Sequence, residues 1–321
     1  MKAIASQLLA LCGLLLAGAA GAQTAPPADV FPPWSHGENN DVEVRGLDFT
    51  VPEIDNLPDF HGDPVNAKLS LFVGGNYFFV MAPLVKAFEA QHIEFKGRIY
   101  WETIPPGLLV KQIQAGGTIT VSNMTWTAKA DAYFAGLNKV KELIKDGLLQ
   151  EPAIPYVTNT LTIMLPKDNP AHVANLVDLG KPGVRLVMPN PEFEGIARQI
   201  KAALTKAGGE TLEKTVYETK VANRETVLTG IHHRQSPLFL MLGRADAGVT
   251  WRSEALFQEQ AGHPITHVDI PPEVNATAIY AGAVVTGAPH ADAARKWLDF
   301  IRSPEALKIF EGYGFKAYQA D

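Results

Sequence analysis

Cysteine is all but missing from this 321-residue chain: there is one, Cys12, and it lies inside an N-terminal apolar run. A disulfide framework, thiolate zinc, iron–sulfur clusters and a catalytic thiol are therefore excluded from the folded part of the protein. A basic excess is missing too. Lys and Arg number 28 against 34 Asp and Glu, for a formal net charge of −6, which argues against a chain that wraps nucleic acid or lies on an anionic membrane. After the first segment no stretch reaches the ~18 apolar residues of a spanning helix. Finally, the sequence contains no G-x-S-x-G, no P-loop and no H-E-x-x-H, and the spacing of its acidic residues singles out no catalytic pair. These absences remove the common catalytic signatures and leave acid–base catalysis by a carboxylate pair open.

What is present begins with an export signal. Lys2 gives a short positive start, Ile4 to Ala20 is apolar, and Ala20-Gly21-Ala22 supplies the small-x-small cleavage pattern. Residues 1–22 are thus expected to be a signal peptide cut after Ala22, delivering the chain to the periplasm. Cys12 sits too early, after Leu11, to be a lipid anchor. Residues 23–67 form an arm interrupted by Pro26, Pro27, Pro32, Pro33, Pro52, Pro58 and Pro64, with Trp34, Phe49 and Phe60 as residues able to dock on the adjoining domain.

From Lys68 the texture alternates between strand and helix. Leu69, Leu71 and Val73 alternate as in a strand that Gly74-Gly75-Asn76 breaks, and Met81, Leu84, Val85 and Phe88 then mark one helical face. Further helices are expected over 108–115, along Tyr133, Leu137, Val140 and Ile144, over 195–207 up to Gly208-Gly209, and from a Ser236-Pro237 cap. The last two are expected along Ala294, Trp297, Leu298 and Ile301, and after a Ser303-Pro304 cap. Strands are expected over 118–122, 158–165, 184–188 and 247–251. The class is α/β with mainly parallel sheets.

Such sheets bind ligands beyond the carboxyl ends of their strands. Four strand-to-helix loops qualify. Gly74-Gly75-Asn76-Tyr77 lets backbone approach a ligand, and Asn76 is placed to cap the next helix, leaving N–H groups for an anion; a tight turn that binds nothing fits equally. Ser122-Asn123-Met124-Thr125-Trp126 offers uncharged donors. Thr250-Trp251-Arg252-Ser253 sets an aromatic wall beside a cation fit for an oxyanion, or Arg252 pairs with Glu254 on the surface. Asn190 to Gly195 opens a helix, where Glu194 suits the helix dipole whatever the function. His232-His233-Arg234 is the one histidine cluster. On an extended segment adjacent side chains point to opposite faces, which disfavours a shared metal, although one histidine with a distant carboxylate such as Glu102 or Glu194 remains open.

Four pieces then carry a resemblance: "DLGKPGVRLVMPNPE" (178–192), "GRADAGVTWRSEAL" (243–256), "VDIPPEVNATAIYAGAVV" (268–285) and "APHADAARKWLDFIRSPEALKIFEGYGF" (288–315). In that order the chain resembles type II periplasmic solute-binding proteins of ABC importers, in the molybdate- and tungstate-binding branch. The resemblance implies two lobes around a ligand cleft, lobe one at 68–157 plus 272–321 and lobe two at 158–271. The hinge crossings would lie near Thr158–Thr160 and Pro271–Asn275. It implies ligand contacts at Gly75, Asn76, Tyr77, Ser122, Asn123, Glu194 and Trp251, to which Arg252 adds a cation. It further implies a small anion as ligand, an ABC permease in the inner membrane as partner, and a monomer. Gly75-Asn76 and Trp251 stand where molybdate-type members usually carry hydroxyls and a tyrosine, and the stretch around His232 looks inserted. A periplasmic metal carrier using His232 and His233, and a ligand-sensing accessory to a membrane kinase, are therefore the alternatives.

Overall fold

The computed structural model describes residues 59–121, 124–192, 194–230 and 232–320. The expected signal peptide, the arm as far as Pro58 with Trp34 and Phe49, and the candidate contacts Ser122 and Asn123 lie outside the described residues.

Lobe one is built on β1 (Asp59–His61), β2 (Leu69–Gly74), β3 (Ile99–Ile104), β6 (Ala132–Gly136) and β12 (Thr277–Val284), together with the first half of β7 (Ile154–Pro166). Their order is β1-β3-β2-β6-β12-β7, and the two-residue β13 (Lys316–Ala317) also pairs with β7. The sheet is sandwiched. On one face, α1 (Phe78–Gln91), α7 (Ala291–Phe300) and α8 (Pro304–Gly312) bury Met81, Leu84, Phe88, Trp297 and Phe310. On the other, α2 (Pro106–Gln114) and α3 (Leu137–Lys145) bury Leu109, Val140 and Leu143. The helical face read at Met81, Leu84, Val85 and Phe88 is the buried one, as a 3.6-residue period requires. The Ser303 hydroxyl caps α8 by accepting from Ala306 N–H at 3.2 Å.

Lobe two continues the same sheet through the second half of β7, then β10 (Ala247–Trp251), β8 (Leu186–Met188) and β9 (Thr226–Leu228), with β11 (Ile265–Asp269) also on β7. The helix α4 (Gly195–Lys214) covers one face, α5 (Ser236–Met241) and α6 (Arg252–Gln260) the other. β7 is the element common to both lobes. It pairs with β12 up to Thr160 and with β10 from Leu161. The chain returns through 270–276, where Asn275 holds β7 by accepting from Leu161 N–H and donating to the Leu161 and Ile270 carbonyls.

Several expectations are corrected here. The sheet is mixed: β3-β2-β6 and β10-β8-β9 run parallel, whereas β1, β7, β11, β12 and β13 pair antiparallel, most of them on the long β7 that both lobes share. Tyr133 belongs to β6 and not to the helical stripe, which starts at Leu137. The strand at 118 is one arm of a separate hairpin, β4 (Thr118–Val121) with β5 (Met124–Thr127), so Met124-Thr125-Trp126 is strand and not loop. Gly208 and Gly209 break the helical backbone, but helix resumes beyond them. Ser236 is the first residue of α5 and not its cap; its hydroxyl is buried without a partner. The end of the arm is part of lobe one: Asp59 is fully buried and Phe60 packs edge-on to Trp126 at 4.5 Å. Among the described residues no helix is long and apolar enough to cross a membrane.

Candidate functional site

The turn after β2 is a 3-10 turn, Gly75–Tyr77, that leads into α1; the N-cap position of that helix has no side-chain cap. The 3-10 turn runs straight into the helix, so any N–H groups left for a ligand are those at the start of the turn itself. Asn76 is buried but does not cap the helix. Its amide donates to the Tyr280 hydroxyl on β12. Tyr77 is turned inward as well, with its hydroxyl accepting from Tyr156 at 2.9 Å and its ring edge-on to Tyr280 at 5.4 Å. Burial holds the Tyr77 and Tyr280 hydroxyls neutral, with pKa values above the ordinary one.

From lobe two, residues 232–235 bring a block of polar side chains to the same place. His232 and His233 are 4 % and 5 % exposed. The expectation that their side chains diverge fails, because a 3-10 turn begins at His233 and folds the two rings into a stack, centroids 4.0 Å apart. His232 Nδ1 accepts from Arg234 N–H at 3.1 Å. His233 lies between two carboxylates. Its Nδ1 is 2.6 Å from Glu194 Oε2, which also accepts from the His233 backbone N–H at 2.7 Å. Its Nε2 is 3.0 Å from Glu254 Oε1, an ion-pair distance, although neither atom completes a well-aligned hydrogen bond.

Thr229 donates to Glu194, and Thr250 donates to Glu254. Burial would lower the His233 pKa, but the charge of Glu254 and the contacts with Glu194 outweigh it and raise the value to about 10. The reverse holds for Glu194: burial raises it, and the hydrogen bond and charge of His233 bring it below the ordinary value. His233 is thus an imidazolium at neutral pH. His232 is neutral, because burial first, and then the adjacent His233 and Arg234 charges, hold its pKa well below 6.5.

The lobes meet around this block. Arg234 lies over the Phe78 ring of α1 at 4.1 Å, a cation–π contact across the cleft. Phe79 stacks on Phe257 of α6 at 4.8 Å. A side-chain carbon built on Gly75 would lie 3.4 Å from His232 Nε2. Arg234 and Asp59 also communicate. Burial raises the Asp59 carboxyl, yet His61, Arg234 and Thr103 together bring it down to about 2.

Of the residues read as ligand contacts, Gly75 and Glu194 meet at the His232–His233 pair, whereas Asn76 and Tyr77 turn into lobe one, onto Tyr280 and Tyr156. Trp251, buried, joins them through Tyr280 at 6.1 Å. Arg252 does not join: it is partly exposed and binds Asp269 through Nε at 2.7 Å, the companion surface reading with Glu254 failing because Glu254 faces inward. Glu102 is buried elsewhere in lobe one, accepting from Tyr100 at 2.6 Å and Trp126 at 3.1 Å. Burial pushes it up to about 7. Sequence reasoning misses Tyr280, Thr229 and Asp59. Tyr280 is reachable from the alternation in its strand, whereas nothing local marks Asp59. One donor set fits a metal: single ligand atoms of Glu194, His232 and His233 lie within 4.8 Å of one another.

Residues 69–316 match the family described as bacterial extracellular solute-binding protein. The molybdate-binding protein ModA of Mycobacterium bovis is 25% identical over 240 residues, 74% of this chain and 82% of that protein. Two solved structures share the fold. The sulfate-binding protein SubI from Mycobacterium tuberculosis H37Rv has a TM-score of 0.62 at 19% identity, covering 78% of this chain and 86% of that one. The periplasmic molybdate-binding protein of Azotobacter vinelandii has a TM-score of 0.61 at 17% identity, covering 78% and 100%. With three quarters of its length matched and two α/β lobes closing on one polar cleft, the chain belongs to the bacterial extracellular solute-binding proteins, with the type II fold that serves ABC importers.

Proposed function

We propose that this protein captures a small anion between its lobes, with a molybdate- or tungstate-like oxyanion favoured, and presents the closed form to an ABC permease in the inner membrane. The observation that carries this reading is the convergence of three helix starts on one cleft. The Gly75–Tyr77 turn opens α1, Glu194 precedes α4, and Trp251 precedes α6; helix N-termini carry partial positive charge and free N–H groups suited to anions. The names of the relatives, molybdate- and sulfate-binding, support an oxyanion. Gly75, Asn76, Tyr77, Ser122, Asn123, Glu194 and Trp251 make up the site in this reading. Glu194 serves by anchoring His233, and Arg252 drops out because Asp269 occupies it.

The role is binding and not catalysis. Residues 68–157 with 272–321 act as one lobe and 158–271 as the other, after export and cleavage behind Ala22. Delivery to a permease and signalling to a membrane kinase use the same closed form.

A metal is the second reading, favoured by the Glu194, His232 and His233 cluster. Against it, Nδ1 of His232 already accepts a backbone N–H, and both nitrogens of His233 face carboxylates.

A thermal-shift panel of molybdate, tungstate, sulfate, phosphate, small carboxylates and divalent metals decides between the two. A ligand at a hundredfold excess over Kd adds about 2.7 kcal/mol of stability, so one oxyanion is expected to raise Tm by several degrees. A rise with metals alone, or none with any anion, overturns the oxyanion reading.

A further inference from the structure

We infer that His232 is the hydrogen-bond donor by which lobe two grips the anion, reaching across the cleft to the turn that opens α1. This rests on the anion-binding reading and adds to it a residue that the reading does not require.

The tautomer of His232 follows from its partners. A neutral imidazole has one N–H and one acceptor nitrogen. Nδ1 accepts from Arg234 N–H at 3.1 Å, so the proton is on Nε2. With the Arg234 N–H directed at it, Nδ1 carries no proton of its own, and the ring is the neutral Nε2–H form. The stack on His233, 4.0 Å between centroids, fixes the ring plane, and His233 is itself held by Glu194. Nε2–H is therefore a donor of fixed direction.

The ring edge that carries Nε2 lies beside Gly75. A side-chain carbon at that residue would lie 3.4 Å from Nε2 and 3.6 Å from Cε1, in contact with the ring and filling the space beside it. The histidine is 4 % exposed, and its Nε2 makes no hydrogen bond to any described residue. This N–H lies beside the start of α1, whose N-cap position has no side-chain cap. The two sets of donors face one space from opposite lobes. What satisfies both is a compact group bearing several acceptor oxygens and no need of a counter-cation, which is a tetrahedral oxyanion. A bare cation gains nothing from Nε2–H, which has no lone pair to give.

The experiment is titration calorimetry of wild type, His232→Ala, His232→Gln, Gly75→Ala and the Gly75→Ala/His232→Ala double variant. Molybdate, tungstate, sulfate and phosphate are the titrants, with near-UV circular dichroism as the check on folding. His232→Ala is expected to weaken the bound oxyanion about 10- to 100-fold, the worth of a hydrogen bond to a charged group. His232→Gln, which keeps an N–H, recovers part of the loss. Gly75→Ala weakens binding when His232 is present and has a smaller effect when it is not. In wild type the ¹⁵N resonance of the His232 Nε2–H group moves on adding the oxyanion. Wild-type affinity in a folded His232→Ala protein, or an unmoved Nε2–H resonance on binding, overturns this inference and leaves the anion-binding reading standing. Wild type that binds divalent metals and no oxyanion overturns both.

Discussion

Replacing His233 by glutamine is expected to remove one titration from the folding equilibrium. In the folded protein the imidazole sits 2.6 Å from Glu194 and 3.0 Å from Glu254. Burial opposes its charge, but the two carboxylates prevail and raise its pKa from 6.5 to about 10. Between those values the folded protein holds a proton that the unfolded chain has released. The stabilisation is fully present below about pH 6.5 and is lost as pH rises toward 10. With one more proton on the native state, stability falls at up to 2.303RT, about 1.4 kcal/mol per pH unit.

Other perturbed groups act outside the upper part of that window. Glu194, depressed, acts at acid pH. Glu102 acts between 4.5 and about 7, His232 below 6.5, and the buried tyrosines only near 10 and above. Between pH 7.5 and 9 the slope belongs to His233, and wild type is expected to lose about 2 kcal/mol across it. Urea unfolding at half-unit intervals reads this directly. His233→Gln leaves two buried carboxylates facing each other without a cation, so at pH 7.5 it is expected to be about 3–5 kcal/mol less stable. Its slope from 7.5 to 9 is expected to be near zero. Parallel slopes for the two proteins would show that the imidazole is not charged in the fold and would refute the reasoning.

Glu102→Gln tests the opposite case. The buried Glu102 carboxyl, with its pKa up at about 7, binds a proton more tightly in the folded state, so wild type loses stability as pH rises from 4.5 to 7. The amide keeps an acceptor for Tyr100 and Trp126, and the same unfolding series is expected to show that loss reduced. Trp297→Ala removes a fully buried ring packed on Phe88 and Phe300 of lobe one. A loss of about 3–5 kcal/mol is expected; a melting temperature within a degree or two of wild type would show that this core does not carry the lobe.

Strand and helix periodicity makes the lobes legible because each element buries one face. Met81, Leu84, Val85 and Phe88 on α1, and Ala294, Trp297, Leu298 and Ile301 near the end, are all core. The turn at Gly74 to Tyr77 is legible for the same reason, since a strand followed at once by a helix needs a tight connection. What the pattern cannot give is partnership at long range. Asn76 reads as a cap because local capping is what a sequence displays, whereas its amide is taken by Tyr280, 204 positions away. Arg252 and Glu254, two residues apart, read as a surface pair. They lie on different sides of the first turn of α6, one facing Asp269 at the surface and the other the buried His233. The His232-His233 stack depends on a 3-10 turn, which apolar periodicity does not reveal.

The two least family-like parts of the chain meet at the cleft, and their meeting explains how charge is distributed there. Asp59 lies ahead of the stretch matched to the family, which begins at residue 69, and Arg234 lies in the segment that reads as an insertion. Arg234 contributes to the low pKa of Asp59, about 2, and its guanidinium also covers the Phe78 ring. The cation is thereby committed to holding the lobes against each other. Likewise the His233 charge is committed to Glu194 and Glu254. These two cationic side chains are thus set against carboxylates within the protein, as burial demands. In the inference drawn above, the neutral Nε2–H of His232 and the start of α1 are what remain to meet a ligand. On the anion-binding reading proposed above, such a site would recognise an anion by the direction of its donors and select among anions by the spacing of their oxygens more than by their charge.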